Sequence, residues 1–114
     1  MLVQMKWDDV VEVVGDLRLE VRVKCRGLEL PGRWTSFLIV PVPGYLESSP
    51  CGPVPFPDVE WIDVNPLRIT ERGRLVTPLI EDMSAELQSR IAALGVESIV
   101  ESDSVRIPGR TANP

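Results

Sequence analysis

The stretch TPLIEDMSAELQSRIAALG, Thr77 to Gly95, reads as the only convincing helix of the chain, and the fold follows from what that helix must cover. Thr77 suits the cap, and Pro78 suits the first helical position, where a backbone N–H would have no partner. Glu81, Asp82 and Glu86 precede Arg90, the order the helix dipole favours. Gly95 ends the element where a left-handed residue costs least. Ile80, Met83, Leu87, Ile91 and Leu94 recur at three- and four-residue spacing and form one apolar stripe. Burying five such side chains is worth on the order of 10 kcal/mol before entropy is charged. A stripe of this kind needs a sheet to lie on.

The upstream half supplies the sheet. Leu17, Leu19, Val21, Val23 and Cys25 alternate with Arg18, Glu20, Arg22 and Lys24, the pattern of a half-buried strand. Val3, Met5, Trp7, Val11 and Val13 share a parity, which predicts a hairpin pairing Val13 with Leu17 and Glu12 with Arg18 across a turn at Val14-Gly15-Asp16. The register also sets Asp8 opposite Arg22, and Asp8-Asp9 is its weak point. WTSFLIV, Trp34 to Val40, is apolar on both parities and predicts a central strand. Between Pro41 and Asp58 neither period survives, and six of the chain's 11 prolines fall between Pro41 and Pro57, so this segment reads as a surface loop. VEWIDV, Val59 to Val64, reads as a strand. Leu67–Thr70 and Leu75–Val76 flank a tight turn at Glu71-Arg72-Gly73-Arg74. Val96 to Val100 suits a short last strand, and 102–114 reads as a polar, flexible tail behind a globular domain spanning 1–101.

Composition narrows the function. A chain of 114 residues, 44% apolar and 25% charged, is one ordinary globular domain. A net charge of −5 argues against nucleic acid as partner, since phosphates call for a basic patch. No apolar run reaches the ~20 residues that span a membrane, and MLVQMKW is not a signal peptide, so neither a membrane nor export is expected. Two cysteines, Cys25 and Cys51, then read as reduced thiols in a reducing, cytoplasmic compartment.

Histidine is absent, which removes the commonest general base and metal ligand. Cys25 reads as a core residue, and Cys51 has no basic neighbour to activate it. Asp58, Glu60 and Asp63 are the only carboxylate cluster not explained by a helix terminus. Glu60 and Asp63 have opposite parity and are expected on opposite faces. No cofactor is implied. Trp7 and Trp61 read as core under the helix. Trp34, Tyr45 and Phe56 flank or lie in the proline-rich loop, where aromatics either pin the loop or form a binding surface. The expected protein-binding set is Tyr45, Leu46, Val54 and Phe56 with Trp34, because prolines lower the entropy lost when these apolar anchors bind.

The second half of the chain resembles a broad group of small bacteriophage and prophage proteins. The shared layout is an alternating strand region (Leu17–Cys25), a Pro-rich middle (Pro41–Pro57), the acid-opened stretch PFPDVEWIDV from Pro55, the ERGR turn, and the closing helix in LVTPLIEDMSAELQSRI. The resemblance implies an accessory protein of a mobile element, acting inside a bacterial cell by binding a host protein. The expected fold is α+β: an antiparallel sheet of four to six strands with one amphipathic helix on one face. The expected function is a non-enzymatic protein-binding module, a phage-encoded modulator or inhibitor of a bacterial host protein. Two other readings compete with it: a metal-dependent enzyme using Asp58, Glu60 and Asp63, and a virion structural or assembly component.

Overall fold

The chain begins with a helix where alternation predicts a strand. In the computed structural model, which describes residues 6–48 and 51–109 and only the backbone of residue 51, α1 spans Trp7–Leu17. Trp7, Val10, Val13, Val14 and Leu17 are buried on it, at helical rather than alternating spacing. The strand reading leaves Val10 and Val14 in water, whereas the helix buries both, so packing overrides the weak helix preference of valine. Asp8 and Asp9, the weak point of the hairpin, lie in the first helical turn, where the dipole favours them. The proposed turn at Val14-Gly15-Asp16 is helical. Val3 and Met5 lie outside the described residues. The helix ends at Arg18, in the left-handed conformation with φ 56°, its N–H reaching back to Gly15.

The fold is α+β, with a four-stranded antiparallel sheet as expected and two helices rather than one. β1 (Val21–Cys25) keeps the predicted alternation, with Val21, Val23 and Cys25 buried, but its partner is β5 (Val59–Val64) and not an N-terminal strand. The predicted pairings of Val13 with Leu17, Glu12 with Arg18 and Asp8 with Arg22 are therefore absent. β5 pairs on its other side with β9 (Val105–Pro108), which pairs with β8 (Ile99–Val100). β9 lies in the segment read as a flexible tail. Val105 and Ile107 are buried opposite Val64 and Ile62, so the sheet continues past residue 101.

The middle of the chain also departs from expectation. Of Trp34–Val40 only Leu38–Ile39 forms a strand, β2, at the edge of a three-stranded sheet, and Trp34, Phe37 and Ile39 are exposed. The supposed loop 41–58 is a hairpin, β3 (Tyr45–Ser48) with β4 (Cys51–Pro55), followed by a 3-10 turn at Phe56–Asp58. Leu46 and Ser48 are buried while Tyr45 faces out. This period of two is hidden in the sequence by the prolines of β4, an edge strand, where a missing N–H is tolerated.

The helix read from Thr77 starts seven residues late. β6 (Leu67–Thr70) pairs with β7 (Leu79–Asp82), and α2 spans Ser84–Ala93. Thr77 and Pro78 therefore cap nothing. The turn region is the longer connection 71–78, and Leu75–Val76 is not its second arm. Asp82 Oδ1 accepts the Ser84 N–H at 2.9 Å and also its hydroxyl, which defines the true start of α2. Leu87 and Ile91 are fully buried, with Met83 and Leu94 packed against the core, so the stripe holds except for Ile80. Gly95 ends the helix at positive φ, as expected. Both helices and the apolar faces of the two larger sheets contribute to one buried cluster.

Candidate functional site

Helices and the three-stranded sheet cover one face of the main sheet; the opposite face carries charge. Arg22, Asp63 and Arg106 sit side by side on β1, β5 and β9, because the register pairs Arg22 with Asp63 and Asp63 with Arg106. Asp63 is fully buried beneath the two arginines. Arg106 binds it in two-pronged fashion, Nε to Oδ1 at 2.8 Å and Nη2 to Oδ2 at 3.2 Å. Arg22 donates from Nε to Oδ2 at 3.1 Å, and its Nη2 lies 3.0 Å from the same oxygen as an ion pair. Hydrogen bonding to Asp63 raises the Arg106 pKa above its ordinary value, against the opposing effect of burial. Each guanidinium also lies over an indole, Arg106 at 3.7 Å from the Trp61 centroid and Arg22 at 4.8 Å from Trp34. Trp61 is thus a lid on this lattice and not core under a helix, whereas Trp7 is buried in the core as expected.

The carboxylate cluster is dispersed among cations. Lys24 pairs with Trp61 and Cys25 with Val59, so Glu60 is an extra residue in β5, and this bulge swings it toward Lys24 at 3.3 Å. Glu60 and Asp63 therefore reach alternate residues of β1 that share a face, against the parity expectation. Asp58 lies 3.9 Å from Arg26. Among the described residues no group of three or more His, Cys, Asp or Glu side chains has the geometry to hold a metal ion. The side chain of Cys51 lies outside the described residues.

The structure divides the expected binding residues. Leu46, only 1% exposed, belongs to the core, and Val54 and Phe56 pack against it. Leu46 is thereby closed to a partner, whereas Val54 and Phe56 are half-buried and pin the hairpin. Tyr45 and Trp34 remain exposed by 40% and 37%. Tyr45 shares the outer face of its sheet with Glu47 and Ile39, while Trp34 rests on Arg22.

A larger apolar surface lies on the β6–β7 arm, whose second strand occupies the start of the segment expected to be helix. Leu67, Ile69, Leu75, Val76, Leu79 and Ile80 are each at least 40% exposed, and Leu75 entirely so. Ile69 stands directly opposite Ile80, with Leu67 and Asp82 next along the same face. The other face carries the Arg68–Glu81 pair at 3.2 Å, and Arg68 also donates to the Leu17 carbonyl at the end of α1. The base is held by Met83 N–H on the Pro66 carbonyl and by Leu67 N–H on Asn65 Oδ1. At the far end Arg72 donates twice to the Thr77 carbonyl, at 3.1 and 2.8 Å. The arm is a separate two-stranded sheet, so among the described residues no strand pairs with its outer edges. Its signal was present in LRIT and LIED, but β7 runs almost directly into a helix whose stripe continues its apolar spacing.

Together these features define a small α+β protein with an apolar hairpin arm and a main sheet whose second face is an arginine–carboxylate–indole lattice. No helix among the described residues is long and apolar enough to cross a membrane. The chain belongs to a family of unknown function, DUF6678, whose model matches residues 3–113. The match includes β9. No curated protein and no solved structure matches the chain.

Proposed function

We propose that the protein is a small non-enzymatic protein-binding module whose contact surface is the β6–β7 arm. The observation that carries this reading is the set of six large apolar side chains exposed between Leu67 and Ile80. Folding alone does not account for them, since the core closes without them. Exposed apolar patches on otherwise polar chains mark interaction surfaces, and unpaired strand edges accept extended segments of a partner. The resemblance to phage and prophage accessory proteins supplies the biological half of the proposal, a modulator of a host protein inside a bacterial cell.

The test is affinity capture from bacterial lysate with the wild-type chain and with Ile69→Ser/Ile80→Ser. A partner retained by the wild type and lost by an arm variant of unchanged melting temperature supports the proposal. A partner that the arm variant still holds, but Tyr45→Ala loses, moves the site to the outer face of the three-stranded sheet. A wild-type chain that captures nothing overturns it.

A further inference from the structure

The β6–β7 arm has one face turned to the body of the protein and one turned away. Arg68, on the inner face, reaches Glu81 and the Leu17 carbonyl of α1, whereas Leu67, Ile69 and Ile80 stand on the outer face with Asp82. The arm runs from its base, where Met83 N–H bonds the Pro66 carbonyl, to a turn in which Val76 N–H reaches the Gly73 carbonyl at 3.3 Å. Arg74 and Leu75 form the apex of that turn, and Leu75 is wholly exposed. Among the described residues nothing covers the outer face enough to bury it, since Leu67, Ile69 and Ile80 are 43%, 54% and 59% exposed. A two-stranded sheet with an apolar face lacks the second layer that such a face ordinarily packs on.

Base and tip of the arm differ in charge. Beside Asp82 a hollow of about 590 Å³ opens along α2, with Met83 and Ala85 as its apolar part and Asp82 and Glu86 as its acids. Arg90 borders it too, but its guanidinium is held by Asp16 at 3.0 Å. The tip instead carries Arg72 and Arg74 against one acid, Glu71. Turned end for end over itself, the arm is its own complement: apolar centre meets apolar centre, and each basic tip arrives at an acidic base. We infer that the occupant of the outer face is the arm of a second copy of this chain, stacked face to face and antiparallel about a two-fold axis. Ile69 and Ile80 of the two copies meet at the centre. Leu75 of each enters the other's hollow on Met83 and Ala85, and Arg74 approaches Asp82 and Glu86. Leu67, Ile69, Leu75, Val76 and Ile80 of both copies, at the exposures they have, bury on the order of 1,000 Å², the lower end for a specific interface. The dimer should therefore dissociate on dilution. The inference rests on the reading of the arm as a contact surface and names its occupant. Stacked faces leave the strand edges open, so an extended segment of a host protein still has an edge to join.

The test is analytical ultracentrifugation of the full chain over a range of concentrations, with melting temperatures reporting the fold of each variant. The wild type should pass from one chain mass to two as concentration rises. Ile69→Ser/Ile80→Ser should stay monomeric, and Leu75→Ser, at the fully exposed apex, should weaken the dimer by about tenfold. Arg74→Glu and Glu86→Arg should each weaken it by about tenfold or more, because like charges then meet at both ends. An equimolar mixture of these two variants should recover the dimer, since a mixed pair restores opposite charges at both tip-to-base contacts. A wild type that is monomeric at every concentration overturns the inference. So does a dimer indifferent to the arm substitutions, or a mixture that associates no better than its components. The two failures separate: a monomeric wild type whose lysate partner is still lost on Ile69→Ser/Ile80→Ser keeps the contact surface and discards only the second copy.

Discussion

Replacing Asp63 by asparagine removes one charge from the middle of the sheet and leaves the shape intact. Three hydrogen bonds converge on the carboxylate, two of them on Oδ2, where Arg22 Nη2 also lies at ion-pair distance. Asparagine offers one oxygen and one NH2, so at best the oxygen keeps the Oδ2 position and the NH2 faces Arg106 Nε, donor against donor. Arg22 then loses its counter-charge, and Arg106 keeps only Glu101, 3.4 Å away. Removing one partner of a buried pair costs roughly 3–5 kcal/mol. The Arg22 and Arg106 side chains are 33% and 29% exposed, so water compensates them in part and the low end applies, about 3 kcal/mol. At about 2.1 cal/mol/K per residue of unfolding entropy, that lowers the melting temperature by roughly 12 °C. Urea denaturation and calorimetry of Asp63→Asn read both numbers. A double-mutant cycle with Arg106→Gln should show that the two losses are less than additive. A melting temperature within about 2 °C of wild type, less than 1 kcal/mol on the same scale, would refute the reasoning and make the lattice decorative.

Three further outcomes are expected. Leu87→Ala, at a fully buried position of α2, should cost about 2–5 kcal/mol in a denaturant titration. The glycines separate two kinds of backbone constraint. Gly15→Ala, with open space around its Cβ and helical backbone, should stabilise by roughly 0.5–1 kcal/mol, whereas Gly109→Ala drives a Cβ to 1.9 Å from the Val59 carbonyl and should loosen β9 from β5. Thermal melts of the two variants should move in opposite directions. The Asp82 pKa is lowered chiefly by the Ser84 hydroxyl and then by its N–H, so this bond stabilises the fold above the unfolded value of about 3.9. Ser84→Ala should therefore be less stable than wild type at neutral pH, and the gap should close as pH falls below about 4 through the lowered folded value.

What sequence reveals here depends on how many elements compete for one pattern. β1 and β5 were legible because their alternation or apolar runs admit no helix of comparable quality. The core half of α2 was legible from Met83, Leu87, Ile91 and Leu94, but its start was not, because Ile80 sits three residues before Met83 and fits a helical stripe as well as a strand. α1 was misread for the mirror reason. Trp7, Val11 and Val13 fit an alternating strand, and only Val10 and Val14 discriminate, once their burial is known. β9 shows two inward apolar residues, Val105 and Ile107, too few to stand out from a polar tail. The binding set Tyr45, Leu46, Val54 and Phe56 assumed an irregular loop, and a hairpin turns alternate members inward. Of the arm, β6 is legible as an extended segment before a turn, while β7 is hidden because Leu79–Asp82 also fits the start of a helix.

Hydrogen exchange of the wild-type chain, free and bound to whatever protein it captures, tests the central claim most directly. An isolated two-stranded sheet with open edges should exchange readily in the free chain. If the arm is the contact surface, amides between Leu67 and Asp82 slow on binding while those of the β3–β4 hairpin are unchanged. Slowing confined to Tyr45–Pro55, or to the charged face of the main sheet, with the arm exchanging as before, would contradict the account.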